Sequence, residues 1–308
     1  MDKNNILKIN SVTQFFETIG RGKPNHPLIG VFDVRELNIS EEEAAKFQDV
    51  KMSSDLYAII LKDGTCGLQY GRNKYDFEEG VLQFIAPNQI VSSNNSHTPS
   101  SYGFFLVFHP DLIRNFDLGK RIKKYNFFNY SVHEALHLSK REEDTLMEIV
   151  KNIEEELNMN IDKHSQEVLV TNVQLLLNYS QRFYERQFIT RTNSSSDVVS
   201  KVEELIQEFY NQKQHLEHGT PSPEYFAQKV NYSNTYLSDL LKKETGKSTK
   251  DHIDDYVIEL AKLELARSEK TINEIAYDLG FNYPHYFSRL FKKKTGEAPN
   301  VYRSQFLN

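Results

Sequence analysis

Lysines that close two similar segments are the residues of this 308-residue sequence with the clearest binding chemistry. Residues 236–246 read YLSDLLKKETG, and residues 286–296, which begin 50 positions later, read YFSRLFKKKTG. Lysine ammonium groups neutralise phosphates, the contact on which nucleic-acid binding largely depends. Lysine near a helix C-terminus also interacts favourably with the helix dipole. Because the whole lysine-ended segment is duplicated, we favour phosphate contact over a purely structural role.

A second motif, H-E-x-x-H at residues 133–137, has the spacing of zinc proteases. That chemistry needs both histidines one turn apart on a helix. Here Ser139 and Glu142 form a capping box that begins a helix only after His137, and the preceding FFNYSV favours β structure. In an extended chain the two histidines lie about 13 Å apart, too far to share one zinc. We therefore predict a strand or a connector here.

The residues ahead of each repeated segment predict the helices that position it. Ser222, followed by Pro223, is a helix-start signal before the first segment. Thr271 and Glu274 form a capping box before the second. Each repeat therefore consists of a short helix, a tight turn and a second helix, which is the layout of a helix-turn-helix. One long helix is predicted at 250–268, between the two repeats.

The region 222–306 resembles the AraC/XylS family of transcriptional regulators. The resemblance is carried by IAYDLGFNYPHYFSRLFKKKTGEAPNVYR at 275–303, which is similar to the family signature. It implies a seven-helix domain whose two recognition helices enter successive major grooves of double-stranded DNA. The N-terminal part resembles the cupin-like effector domain of the family through FIAPNQI at 84–90 and FHPDLIR at 108–114.

The resemblance also implies which side chains face DNA. Seven positions are candidates for base contact: Thr235, Ser238 and Asp239 on the first recognition helix, and Pro284, His285, Ser288 and Arg289 on the second. Five lysines are candidates for contact with the DNA backbone: Lys242, Lys243, Lys292, Lys293 and Lys294. No catalytic residue is implied.

Two of these positions, and one on the helix predicted between the repeats, carry distinctive chemistry. The planar guanidinium of Arg289 can bind O6 and N7 of a guanine together. Asp239 stands where family members often have a basic residue, so it either accepts from the N4 amine of a cytosine or repels phosphates. A surface ion pair with Lys242 or Lys243 is the structural alternative. Val257 stands where the family often has an arginine, which removes a cation for backbone contact.

The region 28–109 carries a β pattern. Five apolar or alternating runs, separated by turn signals, predict a sandwich or a small barrel: LIGVFDVREL, DLYAIILKDG, GLQYGRNKYDF, GVLQFIAP and YGFFLVFH. Six aromatic residues either line an apolar pocket for a small molecule or fill a core: Tyr57, Tyr70, Tyr75, Phe84, Tyr102 and Phe104.

Composition narrows the class of protein. A net charge of −6 argues against a protein that coats DNA, although it allows local basic patches. The single cysteine, Cys66, excludes an internal disulfide and fits a cytoplasmic location. No secretory signal and no membrane-spanning run is present. A catalytic cupin needs clustered histidines, but His97 comes too late and His109 lies at a strand end, so no metal or cofactor is expected.

These observations predict an α+β multidomain protein. Its parts are a cupin-like β-barrel at 20–135, a helical connector pair at 138–190, and an all-α domain with two helix-turn-helix units at 197–308. The polar stretch 191–197 predicts a linker, and the apolar stripes of the helical pair predict the surface of a homodimer.

The predicted function is sequence-specific binding of double-stranded DNA that changes transcription. The expected partners are a small-molecule effector and RNA polymerase. The regulator is expected to be an effector-responsive activator that recruits RNA polymerase. The alternative is a cupin-type enzyme or a sugar-binding protein that carries a DNA-binding appendage. Activity on a small molecule together with a bound metal would favour that alternative.

Overall fold

The computed structural model describes residues 6–36, 51–63, 80–92, 102–131, 134–190 and 192–306. The chain divides into two units, residues 1–187 and residues 188–308, which we call unit 1 and unit 2. Unit 1 contains the β-sheet region and unit 2 is helical. Within the described ranges, no helix has the length and apolar character needed to cross a membrane.

Unit 1 is built on two sheets. The strands described are β1 (Ile6–Ile9), β2 (Ile29–Asp33), β3 (Lys51–Ser54), β4 (Tyr57–Lys62), β5 (Gly80–Ile85), β6 (Ile90–Ser92), β7 (Gly103–Phe108) and β8 (Leu136–Leu138). One sheet has the order β1-β3-β6 and the other the order β2-β7-β4-β5-β8. Strands β2, β4, β5 and β7 confirm four of the predicted runs, whereas GLQYGRNKYDF lies outside the described residues. β1 and β8 lie beyond the predicted barrel limits of 20 and 135.

The two sheets share a hydrophobic core with a short helix, α1 (Val12–Thr18). In the five-stranded sheet, alternate residues such as Phe32, Ala58 and Val107 point to this side. Strands β1 and β3 of the smaller sheet contribute Ile9 and Met52. Period-two alternation thus divides the apolar residues of each strand between two layers.

The opposite face of the five-stranded sheet holds most of the predicted pocket residues. The Tyr57 ring stacks on Phe108 with centroids 5.0 Å apart, and the Phe84 ring lies 4.3 Å from Phe127. Phe104 is fully buried on the same face. These three side chains fill a packed layer, which supports the core alternative and not the predicted ligand pocket.

Three of the predicted pocket residues remain: Tyr102, Tyr70 and Tyr75. The Tyr102 hydroxyl donates to Glu143 Oε2 at 2.9 Å and so links the sheet to a helix. The pKa of Tyr102 is raised by burial and by this neighbouring carboxylate. Tyr70 and Tyr75 lie outside the described residues.

The described part of unit 1 has three further α-helices: α2 (Asp117–Arg121), α3 (Lys140–Asn158) and α4 (Ser165–Thr190). The predicted capping box at the start of α3 is confirmed. The predicted stripes of the pair are largely buried within unit 1, including Leu146 and Ile153 on α3 and Val173 and Leu177 on α4. Most of these stripe residues therefore pack inside the unit, whereas Val168 is 39% exposed. Dimerisation through the helical pair stays a prediction.

Unit 2 is a succession of helices. They are α5 (Thr192–Asn211), α6 (Gln214–His218), α7 (Pro223–Lys229), α8 (Asn234–Thr245), α9 (Thr249–Arg267), α10 (Ile272–Asp278), α11 (Pro284–Thr295) and α12 (Pro299–Ser304). The predicted linker at 191–197 is corrected, because α5 begins at Thr192. Buried apolar residues later in α5, such as Val202 and Ile206, stabilise a helix that its polar first turns do not predict.

One hydrophobic core joins α5 and the helices α7 to α11 of unit 2. The long helix α9, predicted between the repeats, contributes Ile253, Val257 and Ala261 to it. Leu263 of the same helix is half-exposed. Because Val257 is buried, no DNA contact arises from this position.

Candidate nucleic-acid interface

The first helix pair, α7 and α8, forms as its start and stop signals predict. Ser222 Oγ accepts from the backbone N–H of Tyr225, and Ser233 Oγ accepts from that of Tyr236 at 3.2 Å. The chain turns between the helices at Asn231, whose φ of +58° is left-handed. Asparagine tolerates this conformation better than most residues. α8 ends at Gly246, where φ is +76°.

The second pair, α10 and α11, repeats this arrangement. Thr271 Oγ1 accepts from the N–H of Glu274 at 3.2 Å, and the Glu274 carboxylate accepts from the N–H of Thr271 at 2.6 Å. Gly280 turns the chain with a φ of +87°, and Gly296 ends α11 with a φ of +89°. The bounds of α11 are those of α8 displaced by 50 residues, so the sequence repeat is also a structural repeat.

Each second helix buries one side and exposes the other. On α11, Phe287 and Phe291 lie in the core, whereas His285, Arg289, Lys292 and Lys293 are exposed. Because a helix turns about 100° per residue, these four lie on the side opposite the phenylalanines. The two other base-contact candidates of this helix are partly buried: Pro284 and Ser288.

The first recognition-helix candidate, α8, presents a less cationic surface. Its candidates for base contact, Thr235, Ser238 and Asp239, are all partly buried, and Lys242 and Lys243 are exposed. Asp239 occupies the place that Arg289 holds 50 residues later. The two helices thus present the same geometry with opposite charge at this position.

Lys294 was predicted to contact the DNA backbone, but its ammonium group is bound by two aspartates of unit 2. Its Nζ lies 2.9 Å from Asp255 Oδ1 and 3.1 Å from Asp251 Oδ1, both on α9. Hydrogen bonds from the Ser248 hydroxyl and the Lys294 ammonium hold the pKa of Asp251 well below its usual range. Lys294 follows Arg289 by five residues, about 140° around the helix, and this rotation already points to a different role.

One exposed residue of α11, Tyr286, was not among the residues predicted from the sequence to contact DNA. Tyr286 is 54% exposed, whereas its counterpart in the first repeat, Tyr236, is 1% exposed. Tyr236 packs against Phe188 and Tyr232, with ring centroids 5.1 and 5.0 Å away. Identical residues at repeated positions gave no signal of this difference.

Unit 1 has a cavity of about 330 Å³. The Arg21 guanidinium at its wall is paired with Glu36 and lies 4.6 Å from the ring centre of Phe32. Asn25 Nδ2 donates to Asn158 Oδ1 at 2.9 Å. The lining includes four charged side chains: Arg21, Lys23, Glu36 and Glu154. Tyr57, Phe84, Tyr102 and Phe104 do not line it.

The described part of the H-E-x-x-H motif ends in an extended strand. His137 lies in β8, which confirms the predicted strand, and His133 lies outside the described residues. Glu134 is buried and accepts from the N–H of Ser131 at 2.6 Å. In the part of the chain that the structure describes, no group of three or more His, Cys, Asp or Glu side chains is placed to hold a metal ion. The expected absence of a metal stays a prediction.

Comparison with known proteins places the similarity in unit 2. The profile of a helix-turn-helix domain matches residues 226–305. The regulatory protein SoxS of Escherichia coli K12 is 35% identical over 77 residues, which are 25% of this chain and 72% of SoxS. The uncharacterised regulator YobQ of Bacillus subtilis is 38% identical over 73 residues, 24% of this chain and 30% of YobQ.

Among solved structures, the C-terminal domain of AraT, a response regulator from Geobacillus stearothermophilus, is 32% identical. The match covers 35% of this chain and 84% of that domain, with a TM-score of 0.31. The chain spans less than half the length of the first curated relatives that it matches, between 10% and 45%. The shared region contains both helix pairs, except for the first residues of α7.

Proposed function

Because this chain belongs to the AraC family of helix-turn-helix transcriptional regulators, we propose that its two helix pairs are DNA-reading units that bind one operator together. The duplicated geometry of α8 and α11 carries this proposal, since both present a polar or cationic face away from a common core. The two sheets of unit 1, which share one core, support a cupin-like sensor domain. DNA binding by such a regulator takes place in the cytoplasm and controls the access of RNA polymerase.

Genome-wide mapping of the DNA bound by the full chain tests this function. The expected result is a small set of sites that share two half-sites, one for each helix pair, because a recognition helix contacts base edges in the major groove. Binding of the purified chain to one mapped site should exceed binding to shuffled DNA of the same length. Equal affinity for both would contradict sequence-specific recognition.

The lysines of α11 provide a matched pair of variants. Lys292→Ala should weaken binding to operator and random DNA alike and lower the slope of log affinity against log salt by about one, because one phosphate contact is lost. Lys294→Ala should leave that slope unchanged, because the Lys294 ammonium already pairs with Asp251 and Asp255. Filter binding at several salt concentrations measures both slopes. A reduced slope for Lys294→Ala and not for Lys292→Ala would reverse the assignment.

We propose that the protein is a homodimer through the outer side of the α3–α4 pair. Val168 and Leu175 are partly exposed and lie seven residues apart, which is about two turns of α4. Met159 and Ile161, in the connection before α4, are both more than 60% exposed. Clustered exposed apolar residues of this kind mark interaction surfaces.

Leu175→Glu should therefore raise the dimer dissociation constant about tenfold or more, because a carboxylate would be buried in an apolar interface. Sedimentation velocity over a concentration series measures the change. The control is Gln181→Glu, which adds the same charge to the exposed surface of α4. A wild-type chain that sediments as a monomer, or equal dissociation constants for both variants, would refute this surface.

We further propose that unit 1 senses a small polar molecule in its cavity of about 330 Å³. The charged lining favours a ligand with several polar groups, and the ordered pairs Arg21–Glu36 and Asn25–Asn158 hold the walls in place. A metabolite that binds the folded state should stabilise the chain by about 2.7 kcal/mol at a concentration of 100 times its Kd.

A thermal-shift screen of polar metabolites should find a ligand whose stabilisation is lost in Glu154→Ala. Glu155→Ala is the matched control, since the neighbouring Glu155 is exposed on the same helix but does not line the cavity. The same loss in both variants would place the ligand elsewhere.

A further inference from the structure

The second recognition helix exposes an aromatic surface that the first lacks. Tyr286 is 54% exposed and Tyr283, the residue before α11, is 59% exposed. The two rings meet edge to face with centroids 5.9 Å apart, and the His285 ring lies 4.3 Å from that of Tyr286. In the first repeat the equivalent Tyr236 is covered by Phe188 and Tyr232. Exposure of this ring is therefore a property of the second pair alone.

Helix geometry places this ring beside the cationic residues of the proposed interface. Tyr286, Arg289 and Lys293 are spaced i, i+3 and i+7 on α11, so they form one row along its exposed side. Tyr286 is in the first turn, the end of a recognition helix that contacts base edges. A large apolar ring in this position has a natural counterpart in the major groove, the 5-methyl group of thymine.

We propose that Tyr286 is a specificity-determining residue that packs its ring on the methyl group of a thymine next to the base contacted by Arg289. This inference rests on the proposed function, because it assigns a partner to one side chain of the same interface. The rings of Tyr283 and His285 both contact the Tyr286 ring and each other, so little rotamer freedom is lost on binding. The contact makes the second half-site prefer thymine at that position.

A phosphate contact through the hydroxyl and a surface for another protein are the competing roles of Tyr286. Both make different predictions from the methyl contact. A phosphate contact needs the hydroxyl and is indifferent to the base. A protein surface leaves DNA affinity unchanged when the ring is removed. The ring–methyl contact needs the ring, and it is sensitive to one methyl group of the DNA.

The test measures the affinity of the full chain for its mapped operator and for duplexes in which each thymine of the second half-site is replaced by uracil. One replacement should weaken wild-type binding about fourfold, the worth of one buried methyl group. Tyr286→Phe should keep this sensitivity, and Tyr286→Ala should lose it. Tyr277→Ala, which removes a 55% exposed tyrosine from α10, is the control and should keep it.

The proposal is overturned if no thymine replacement matters, if Tyr286→Ala keeps the sensitivity of the wild type, or if Tyr286→Phe loses as much affinity as Tyr286→Ala. The last result would assign the hydroxyl to a phosphate. Unchanged operator affinity in Tyr286→Ala with loss of transcription would assign the ring to a protein surface and would also overturn it. Failure of the wild-type chain to prefer its operator over shuffled DNA would instead refute the proposed function.

Discussion

Replacing Arg289 with alanine is expected to weaken binding to the operator by about 1–3 kcal/mol and to leave binding to random DNA nearly unchanged. Arg289 is exposed on α11, opposite the buried Phe287 and Phe291, so its guanidinium can reach the floor of a major groove. A bidentate contact to guanine exists only where the right base is present. Its loss therefore reduces specificity more than general affinity.

Competition binding at one fixed salt concentration measures this effect, with operator and shuffled DNA as the two ligands. Lys292→Ala is the control for a general electrostatic contribution, because it should weaken both complexes equally. If Arg289→Ala weakens both complexes by the same factor, the guanidinium contacts phosphate and not a base.

Asp239 allows the same question to be asked at the equivalent position of the first pair. Asp239→Ala should lower operator affinity if the carboxylate accepts from a cytosine N4 amine. The same substitution should raise affinity for any DNA if the carboxylate only repels phosphates. The two results differ in sign, so one titration separates the two roles. Together with Arg289→Ala it measures how unequally the two helix pairs contribute.

Replacing Gly280 with alanine is expected to destabilise unit 2 by about 2–4 kcal/mol, the sum of two effects. The first is backbone strain, because φ is +87° at this position. The second is steric, because a Cβ would lie 2.9 Å from the carbonyl oxygen of His215 and 3.0 Å from the carbonyl carbon of Gly219. Both are backbone atoms, and the segment that carries them is held by a 3.0 Å hydrogen bond from Thr220 N–H to the Gly280 carbonyl.

Gly296→Ala is a matched control for this prediction. Its φ of +89° imposes the same strain, but a Cβ there has no neighbour within 4 Å. Urea unfolding of the two variants should show that Gly280→Ala lowers the free energy of unfolding by at least about 1 kcal/mol more. Because Gly280 lies in the turn before α11, the same variant should also weaken DNA binding. Equal losses of stability would show that the segment 215–220 moves aside easily.

Local features of unit 2 were predictable because they depend on residues within one turn of each other. Ser222 and Thr271 cap helices as expected, and Gly246 and Gly296 end the second helix of each pair. Caps and stops are set by hydrogen bonds and backbone conformation inside a few residues, so composition is sufficient. The 50-residue repeat then predicted a duplicated helix pair.

The burial of particular side chains was decided by elements distant in sequence. Tyr236 and Tyr286 match in the repeat, but Phe188 and Tyr232 cover only the first. Lys294 ends a lysine run, but two aspartates of α9 bind it.

In unit 1, too, local patterns predicted the secondary structure, and packing by distant residues decided which side chains are buried. Alternating patterns predicted strands β2, β4, β5 and β7, but they could not tell which face of the sheet would be open to a ligand. Tyr57, Phe84 and Phe104 are aromatic residues on strands, and only the packing of Phe127 and Phe128 against that face makes them core.

The sequence by itself therefore determined the family, the helix boundaries of the two repeated pairs and the candidate DNA contacts other than Tyr286. Tertiary structure alone decided which of those side chains stay exposed. Exposure depends on what the rest of the chain places over a residue, and that partner is not encoded in the local pattern.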